Sequence, residues 1–267
     1  MTATFPSSTA VKTTVKPAAA AHAQQVRLSP LSPQVHAKVH AKVHAKVHPK
    51  KVVAIGDSLV YGYGDHEGGG WVERLRLGWM NPEQPGPIVY NLGIRGDGVT
   101  QVTQRLEREF YDRGELRHRT PDIVVLSVGL NDSARAGRPM GRPVTGIEVF
   151  EQKLSQLLRQ ACQLCPVFFV GMTPIDEAAM PFADVLYFSR MEQAHYRDVT
   201  RQLCEAQQVP YLDLLEQWTQ QPESWVGDRL CSDGIHPNAL GYCTILAAVK
   251  NWQPFMSAVQ DTGAALN

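Results

Sequence analysis

The sequence predicts an α/β fold, a three-layer α/β/α sandwich built on a central five-stranded parallel sheet. Three observations carry this. From Lys51 onward, short apolar runs alternate with longer amphipathic stretches, the pattern of strands joined by crossover helices. A chain of 267 residues that is 43% hydrophobic has enough apolar material for one substantial core. No run of about 18 apolar residues occurs, so no transmembrane segment is expected.

In chain order, the strands are expected at residues 51–55, 87–92, 122–128, 166–171 and 209–212. Helical spacing covers residues 71–80, 100–113, 146–165 and 190–207, and a last helix at 239–252 follows the fifth strand. Within 146–165, Ile147, Phe150, Leu154, Leu157, Leu158 and Ala161 recur at helical spacing and form a core-facing stripe. Because β-crossover-β connections are right-handed, five such strands make a doubly wound sheet. Ligands of such sheets bind beyond the carboxyl ends of the strands, so the loops there are the ones to inspect.

The first strand is followed by Gly56, Asp57, Ser58 and Leu59. After the second come Asn91, Gly93, Gly96 and Asp97, and after the third Gly129, Asn131 and Asp132. Past the last strand lie Asp233, His236 and Pro237. A hydroxyl, a small-residue turn, a carboxamide and an Asp/His pair therefore fall on one rim. These residue types suit acyl transfer. A serine hydroxyl is a weak nucleophile until a base takes its proton, and imidazole titrates in the right range. Ser58 falls at the start of a helix or turn, where N–H groups favour developing negative charge. Asp233 and His236, three apart, can meet locally, which sets the tautomer and supports the imidazolium. The N–H groups of Ser58 and Gly96 and the amide of Asn131 can supply donors to a tetrahedral oxyanion.

These blocks, in this order, resemble the GDSL or SGNH-hydrolase family: Gly56–Leu59 stands for its G-D-S-L, Gly96 for the second-block glycine, Gly129–Asp132 for G-x-N-D and Asp233–Pro237 for D-x-x-H-P. The resemblance spans residues 52–252. It implies a flavodoxin-like three-layer fold and a serine esterase that splits esters or thioesters through an acyl-enzyme, without metal or cofactor. Its catalytic residues map to Ser58, Asp233 and His236, and its oxyanion hole to Ser58, Gly96 and Asn131. Two positions depart from the pattern: Gly98 stands where Thr or Ser is common, and Leu130 where many members carry Gly.

Each block alone is weak, since Gly-Asp-Ser occurs in ordinary turns and Asn131-Asp132 reads equally as a cap. Order and placement at successive strand ends give them weight together. Asp57 and Asp97 are expected to brace their turns through backbone hydrogen bonds. His66 is expected at the surface or lining the pocket, His118 and His195 in solvent, and Asp176 as a loop carboxylate. Arg135, Arg138 and Arg142 form a cationic loop, either solvated or facing an anionic substrate. Residues 175–188, with Met180, Phe182, Leu186, Tyr187 and Phe188, make either an apolar lip or the start of the next helix. No G-x-S-x-G, H-E-x-x-H or P-loop motif occurs, and Gly93, Gly96 and Gly98 have the wrong spacing for a dinucleotide fingerprint.

The zero net charge conceals an asymmetry. Residues 1–50 hold seven Lys/Arg and no acid, while residues 51–267 hold 19 Lys/Arg against all 26 acids. The unit Val-His-Ala-Lys begins at Val35, Val39 and Val43, with a variant at Val47 that contains Pro49. Too few large apolar groups are present there to offset the ordering entropy. The expected organisation is a disordered basic tail (1–50), a hydrolase domain (51–255) and a flexible C-terminal tail (256–267). The five cysteines are odd in number and scattered, so they read as reduced thiols, and Cys162 and Cys165 lack the context of a redox or zinc pair. Lys12 and Lys16 interrupt any signal-peptide core, which favours the cytoplasm, although an acid-free, Ser/Thr-rich start also suits an organelle transit peptide. The expected partner is a small-molecule ester, with no nucleic acid and at most weak contact of the tail with an anionic surface. The competing reading is a catalytically idle module of this fold, tethered by its basic tail.

Overall fold

The computed structural model describes residues 49–84, 86–114 and 119–261. β1 (Lys51–Gly56) runs into the one-turn helix α1 (Ser58–Tyr61), followed by α2 (Gly70–Trp79), β2 (Ile88–Gly93), α3 (Val99–Asp112) and β3 (Ile123–Ser127). Two short strands, β4 (Arg135–Ala136) and β5 (Arg142–Pro143), precede α4 (Ile147–Leu164), β6 (Val167–Val170), β7 (Leu186–Tyr187), α5 (Arg190–Ala206) and β8 (Tyr211–Leu212). α6 (Leu214–Thr219), α7 (Glu223–Gly227), α8 (Ala239–Asn251) and α9 (Gln253–Gln260) complete the described chain.

The main sheet has five strands in the order β2-β1-β3-β6-β8, and every pairing in it is parallel. The expected three-layer sandwich is thus borne out, and its five strands and five long helices lie within two residues of the expected bounds. All six residues of β1 are buried, as a strand covered on both faces requires. Its side chains alternate between two cores. Val53 and Ile55 join Leu106 and Phe110 of α3, Leu154 and Leu158 of α4, and Tyr196 of α5. Val52 and Ala54 join Trp71 and Leu75 of α2, Tyr242 and Val249 of α8, and Phe255 of α9. The strand order reverses between β1 and β3, the crevice where such sheets bind ligands.

Two expectations need correction. Residues 256–260 are not a flexible tail, because α9 extends the domain to Gln260. Pro254 opens that helix, where its missing N–H costs nothing, and Phe255 and Val259, one turn apart, are 1% and 5% exposed against the second core. The segments around Arg135 and Phe188 are neither plain loops nor a helix start. β4 pairs antiparallel with β5 and with β7 to form a three-stranded sheet. Residues 1–48 of the expected tail, and residues 262–267, lie outside the described residues.

Candidate active site

Ser58 opens α1 at the end of β1 and is 4% exposed. Asp57 caps that turn, its Oδ1 accepting the Leu59 N–H at 2.9 Å, so the expected bracing role is met. The Ser58 Oγ lies 2.9 Å from Nε2 of His236. The other ring nitrogen, Nδ1, lies 2.7 Å from Oδ2 of Asp233. A carboxylate at Nδ1 favours the tautomer with its proton there, which leaves Nε2 free to accept from the serine hydroxyl.

The Asp233–His236 loop is largely self-folded. Asp233 Oδ1 accepts the N–H groups of Ile235 and His236 at 2.9 and 3.0 Å, and the Cys231 N–H donates to the His236 carbonyl at 2.7 Å. Burial pushes the Asp233 carboxyl up, but hydrogen bonds from the His236 ring and from the two backbone N–H groups outweigh it and hold it at about 2. The Asp176 N–H pins the loop from outside by donating to the Gly234 carbonyl at 2.7 Å. The imidazole also packs between two aromatic edges, Tyr63 at 4.6 Å and Phe182 at 5.8 Å between ring centres.

The opposite side of Ser58 is assembled from distant segments. Gly96 lies exposed in the turn after β2 with φ of +83°, a conformation that disfavours any side chain. The Asn131 Nδ2 donates to the Asp97 carbonyl at 3.0 Å and lies 3.5 Å from Oδ2 of Asp57. Asp97 in turn pairs with Arg105, whose Nε is 2.7 Å from Oδ2. The same guanidinium donates to the carbonyls of Leu92 and Gly56, each at 2.8 Å, and so joins the ends of β2 and β1. Asp132, 1% exposed, accepts the Val99 N–H at 2.9 Å and the Thr145 hydroxyl at 2.8 Å. Burial pushes Asp57 up to about 7; the Leu59 N–H opposes this, while the neighbouring carboxylates of Asp132 and Asp97 add to it. Asp132 is also raised by burial.

Both departures from the family pattern have a structural reason. A Cβ on Gly98 would stand 2.8 Å from Asp132 Oδ1, and Asp132 already satisfies the first N–H of α3. Leu130 is 1% exposed and fills the core beneath the rim.

The remaining candidates separate from the site. His66 and His195 are exposed, and His118 lies outside the described residues. Arg135 is engaged by Glu192, with its Nε 3.0 Å from the carboxylate. Phe188 is buried in the core, whereas Phe182 is the part of its segment that meets His236. Burial raises the thiols of Cys162 and Cys165, with Cys165 at about 12. Among the described residues no group of three or more His, Cys, Asp or Glu is arranged to hold a metal ion. A cavity of about 600 Å³ lies elsewhere, lined by Ile175, Gln193, Arg197, Leu215 and Val226, and none of Ser58, Asp233 and His236 lines it.

Sequence reasoning missed Tyr63, Arg105 and Tyr242. The Tyr242 hydroxyl reaches the carbonyls of Tyr63 and Ser58 at 2.9 and 3.4 Å. It also missed Asp65, which accepts the N–H groups of Glu67, Gly68 and Gly70 and pairs with Arg74 at 2.6 Å. The run Gly68-Gly69-Gly70 beside an aspartate was a signal for such a carboxylate-centred turn. The tyrosines and Arg105 carry no sequence signal apart from their elements.

Comparison with known proteins places the chain in a family and among similar folds. The model of the GDSL-like lipase/acylhydrolase family matches residues 54–243. No curated protein sequence matches the chain. Among solved structures, a lipase/acylhydrolase from Enterococcus faecalis is similar with a TM-score of 0.60 and 21% identity, over 80% of this chain and 96% of that one. The acetylxylan esterase Axe2 of Geobacillus stearothermophilus is similar with a TM-score of 0.56 and 20% identity, over 79% and 94% of the two chains. LAE5, an alpha/beta hydrolase enzyme from the metagenome of Lake Arreo in Spain, has the same TM-score of 0.56 and 20% identity, over 80% and 97%. At these identities the structures establish a common fold.

Proposed function

Because the chain belongs to the GDSL-like lipase/acylhydrolase family and is thereby a carboxylic ester hydrolase, we propose that Ser58 is its nucleophile, His236 the base and Asp233 the carboxylate that orients it. The observation that carries this reading is the continuous chain from Ser58 Oγ to His236 Nε2 at 2.9 Å and from His236 Nδ1 to Asp233 at 2.7 Å.

As the Ser58 oxygen attacks the ester carbonyl, its proton passes to Nε2, and the imidazolium so formed is stabilised by Asp233. The carbonyl oxygen becomes an oxyanion held by the N–H groups of Ser58 and Gly96 and by Asn131. One hydrogen of the Asn131 amide is committed to the Asp97 carbonyl. The other meets only a distant oxygen of Asp57 at 3.5 Å, so it is the one available to the oxyanion. Collapse of the intermediate transfers the Nε2 proton to the leaving alcohol or thiol and leaves an acyl group on Ser58. Water then attacks that acyl group by the same route, with His236 again accepting the proton.

The test is turnover of para-nitrophenyl acetate and longer acyl esters by the full chain, by Ser58→Ala and by a chain lacking residues 1–50. The reading expects loss in Ser58→Ala and retention in the truncation, with the catalytic domain beginning near Lys51. It also expects a serine-directed fluorophosphonate to modify Ser58 itself, read by peptide mass mapping. Labelling at another serine, or equal rates in wild type and Ser58→Ala, would overturn it.

A further inference from the structure

The rim of the site contains a cation, Arg95, whose charge is not engaged. Arg95 precedes Gly96 in the exposed turn after β2, and its guanidinium carbon lies 3.6 Å from the centre of the Tyr63 ring. Tyr63 in turn meets the His236 ring edge-on at 4.6 Å. These two distances place the guanidinium within about 8 Å of the imidazole centre.

Two other arginines near this rim are occupied. Arg105 is held by Asp97 and two carbonyls. Arg135 is held by Glu192 and the Gly141 carbonyl. Among the described residues Arg95 makes no ion pair and donates no hydrogen bond; the Tyr63 ring is its one contact of this kind. The nearest carboxylate in sequence, Asp97, is taken by Arg105 at 2.7 Å. An aromatic ring positions a guanidinium without consuming its N–H donors, and those donors match a carboxylate or phosphate in forked geometry. The Arg–Tyr contact therefore holds a preset cation beside the reacting groups, on the same turn as the proposed oxyanion donor Gly96.

We propose that Arg95, held on Tyr63, is a specificity-determining residue that binds an anionic group of the substrate next to the scissile bond, so that the preferred substrates are esters bearing a carboxylate or phosphate. This deepens the esterase reading and rests on it for the location of the scissile bond. Arg95 acts on substrate binding, and no proton or bond change is assigned to it.

Two matched ester pairs test this, one with the anion on the leaving side and one with it on the acyl side. They are para-acetoxybenzoate against para-acetoxybenzamide, and mono-para-nitrophenyl adipate against para-nitrophenyl hexanoate. The readout is the anionic-to-neutral ratio of kcat/KM in wild type, Arg95→Gln and Arg95→Lys. In at least one pair the ratio is expected to fall about fivefold to tenfold in Arg95→Gln, with a smaller fall in Arg95→Lys. Raising the salt concentration should lower the wild-type ratio and leave that of Arg95→Gln unchanged. A ratio that Arg95→Gln leaves unaltered in both pairs overturns the proposal. So does an equal loss on anionic and neutral esters, since a side chain that only props His236 in place gives that result. Binding of the two anionic esters to Ser58→Ala, with and without Arg95→Gln, reads the same contact without turnover. Were the wild type to hydrolyse no ester at all, the esterase reading would fall, while these dissociation constants would still decide the anion site. A Kd that Arg95→Gln weakens supports it, and one left unchanged overturns it.

Discussion

The two sides of Ser58 are built in opposite ways. On one side, Asp233 and His236 stand three residues apart, and the carboxylate ties itself to its own loop through two backbone N–H groups as well as to the ring. On the other, Asn131 reaches a carbonyl 34 residues away and Arg105 a carbonyl 49 residues away. The first arrangement is local and encoded in five residues. The second exists only once β1, β2 and β3 lie side by side. The same contrast appears in the charges: Asp233 is held low, at about 2, by its donors, whereas Asp57 is pushed up to about 7, chiefly by burial. A carboxylate beside the proposed base is thus kept ionised, and one beneath the proposed oxyanion donors is kept largely neutral through mildly acidic pH.

The largest expected effects fall on the local side and on the proposed nucleophile beside it. Ser58→Ala and His236→Ala are each expected to lower kcat/KM about ten-thousand-fold or more, and the double variant little further, because the residues act as one unit. Ester kinetics check this, and losses that multiply would break the assignment. Asp233→Asn keeps an oxygen for the loop N–H groups but presents the wrong partner to Nδ1. About a ten-thousand-fold loss in kcat is expected, with a fall in Tm above about pH 4, where the ionised carboxylate contributes stability.

Asn131→Ala sharpens the comparison because it should do two things at once. Loss of one oxyanion donor costs about 3 kcal/mol in the barrier, on the order of a hundredfold in kcat. The Asp97 carbonyl also loses its donor, so Tm should fall with activity. An Asn131→Ala protein with wild-type Tm would show that the long-range network contributes no stability. Next in size is Asp65→Ala, which leaves Arg74 and three N–H groups without their shared carboxylate. It should cost about 3 kcal/mol in urea unfolding and loosen the Tyr63 turn beside His236.

The pH dependence of stability completes the comparison, and the two carboxylates should act with opposite signs. Asp233, lowered from 3.8 to about 2, contributes stability that is present above pH 3.8 and lost as pH falls through 2. Asp57, raised from 3.8 to about 7, favours folding below pH 3.8, and that contribution is lost as pH rises toward 7. Asp57→Asn should therefore gain stability relative to wild type as pH rises between about 4 and 7. Urea unfolding of both proteins across that range checks the sign, and a constant difference would mean that Asp57 does not titrate there.

Much of this molecule is legible in its sequence, for reasons that differ by residue. The strands announce themselves because a strand buried on both faces needs continuous apolar side chains, as at Val52–Ile55, and the long helices because Leu154, Leu157 and Leu158 repeat with the helical turn. Ser58, Asp233 and His236 are legible because each sits in a short motif whose spacing is itself the geometry. α9 escapes because eight residues with two buried apolar groups give too weak a period. The small β5-β4-β7 sheet escapes because two-residue strands have no period at all.

By itself, then, the sequence determined the layer architecture, the proposed nucleophile and its His/Asp loop, since each depends on interactions within one element or one turn. Tertiary structure alone decided that Arg105 would join the ends of β1 and β2. It also decided that Asp57 would be buried near Asp97 and Asp132, and that Tyr63 would stand between Arg95 and His236. Those contacts join residues far apart in the chain, and the burial and charge that define them arise only when the sheet closes around the crevice between β1 and β3.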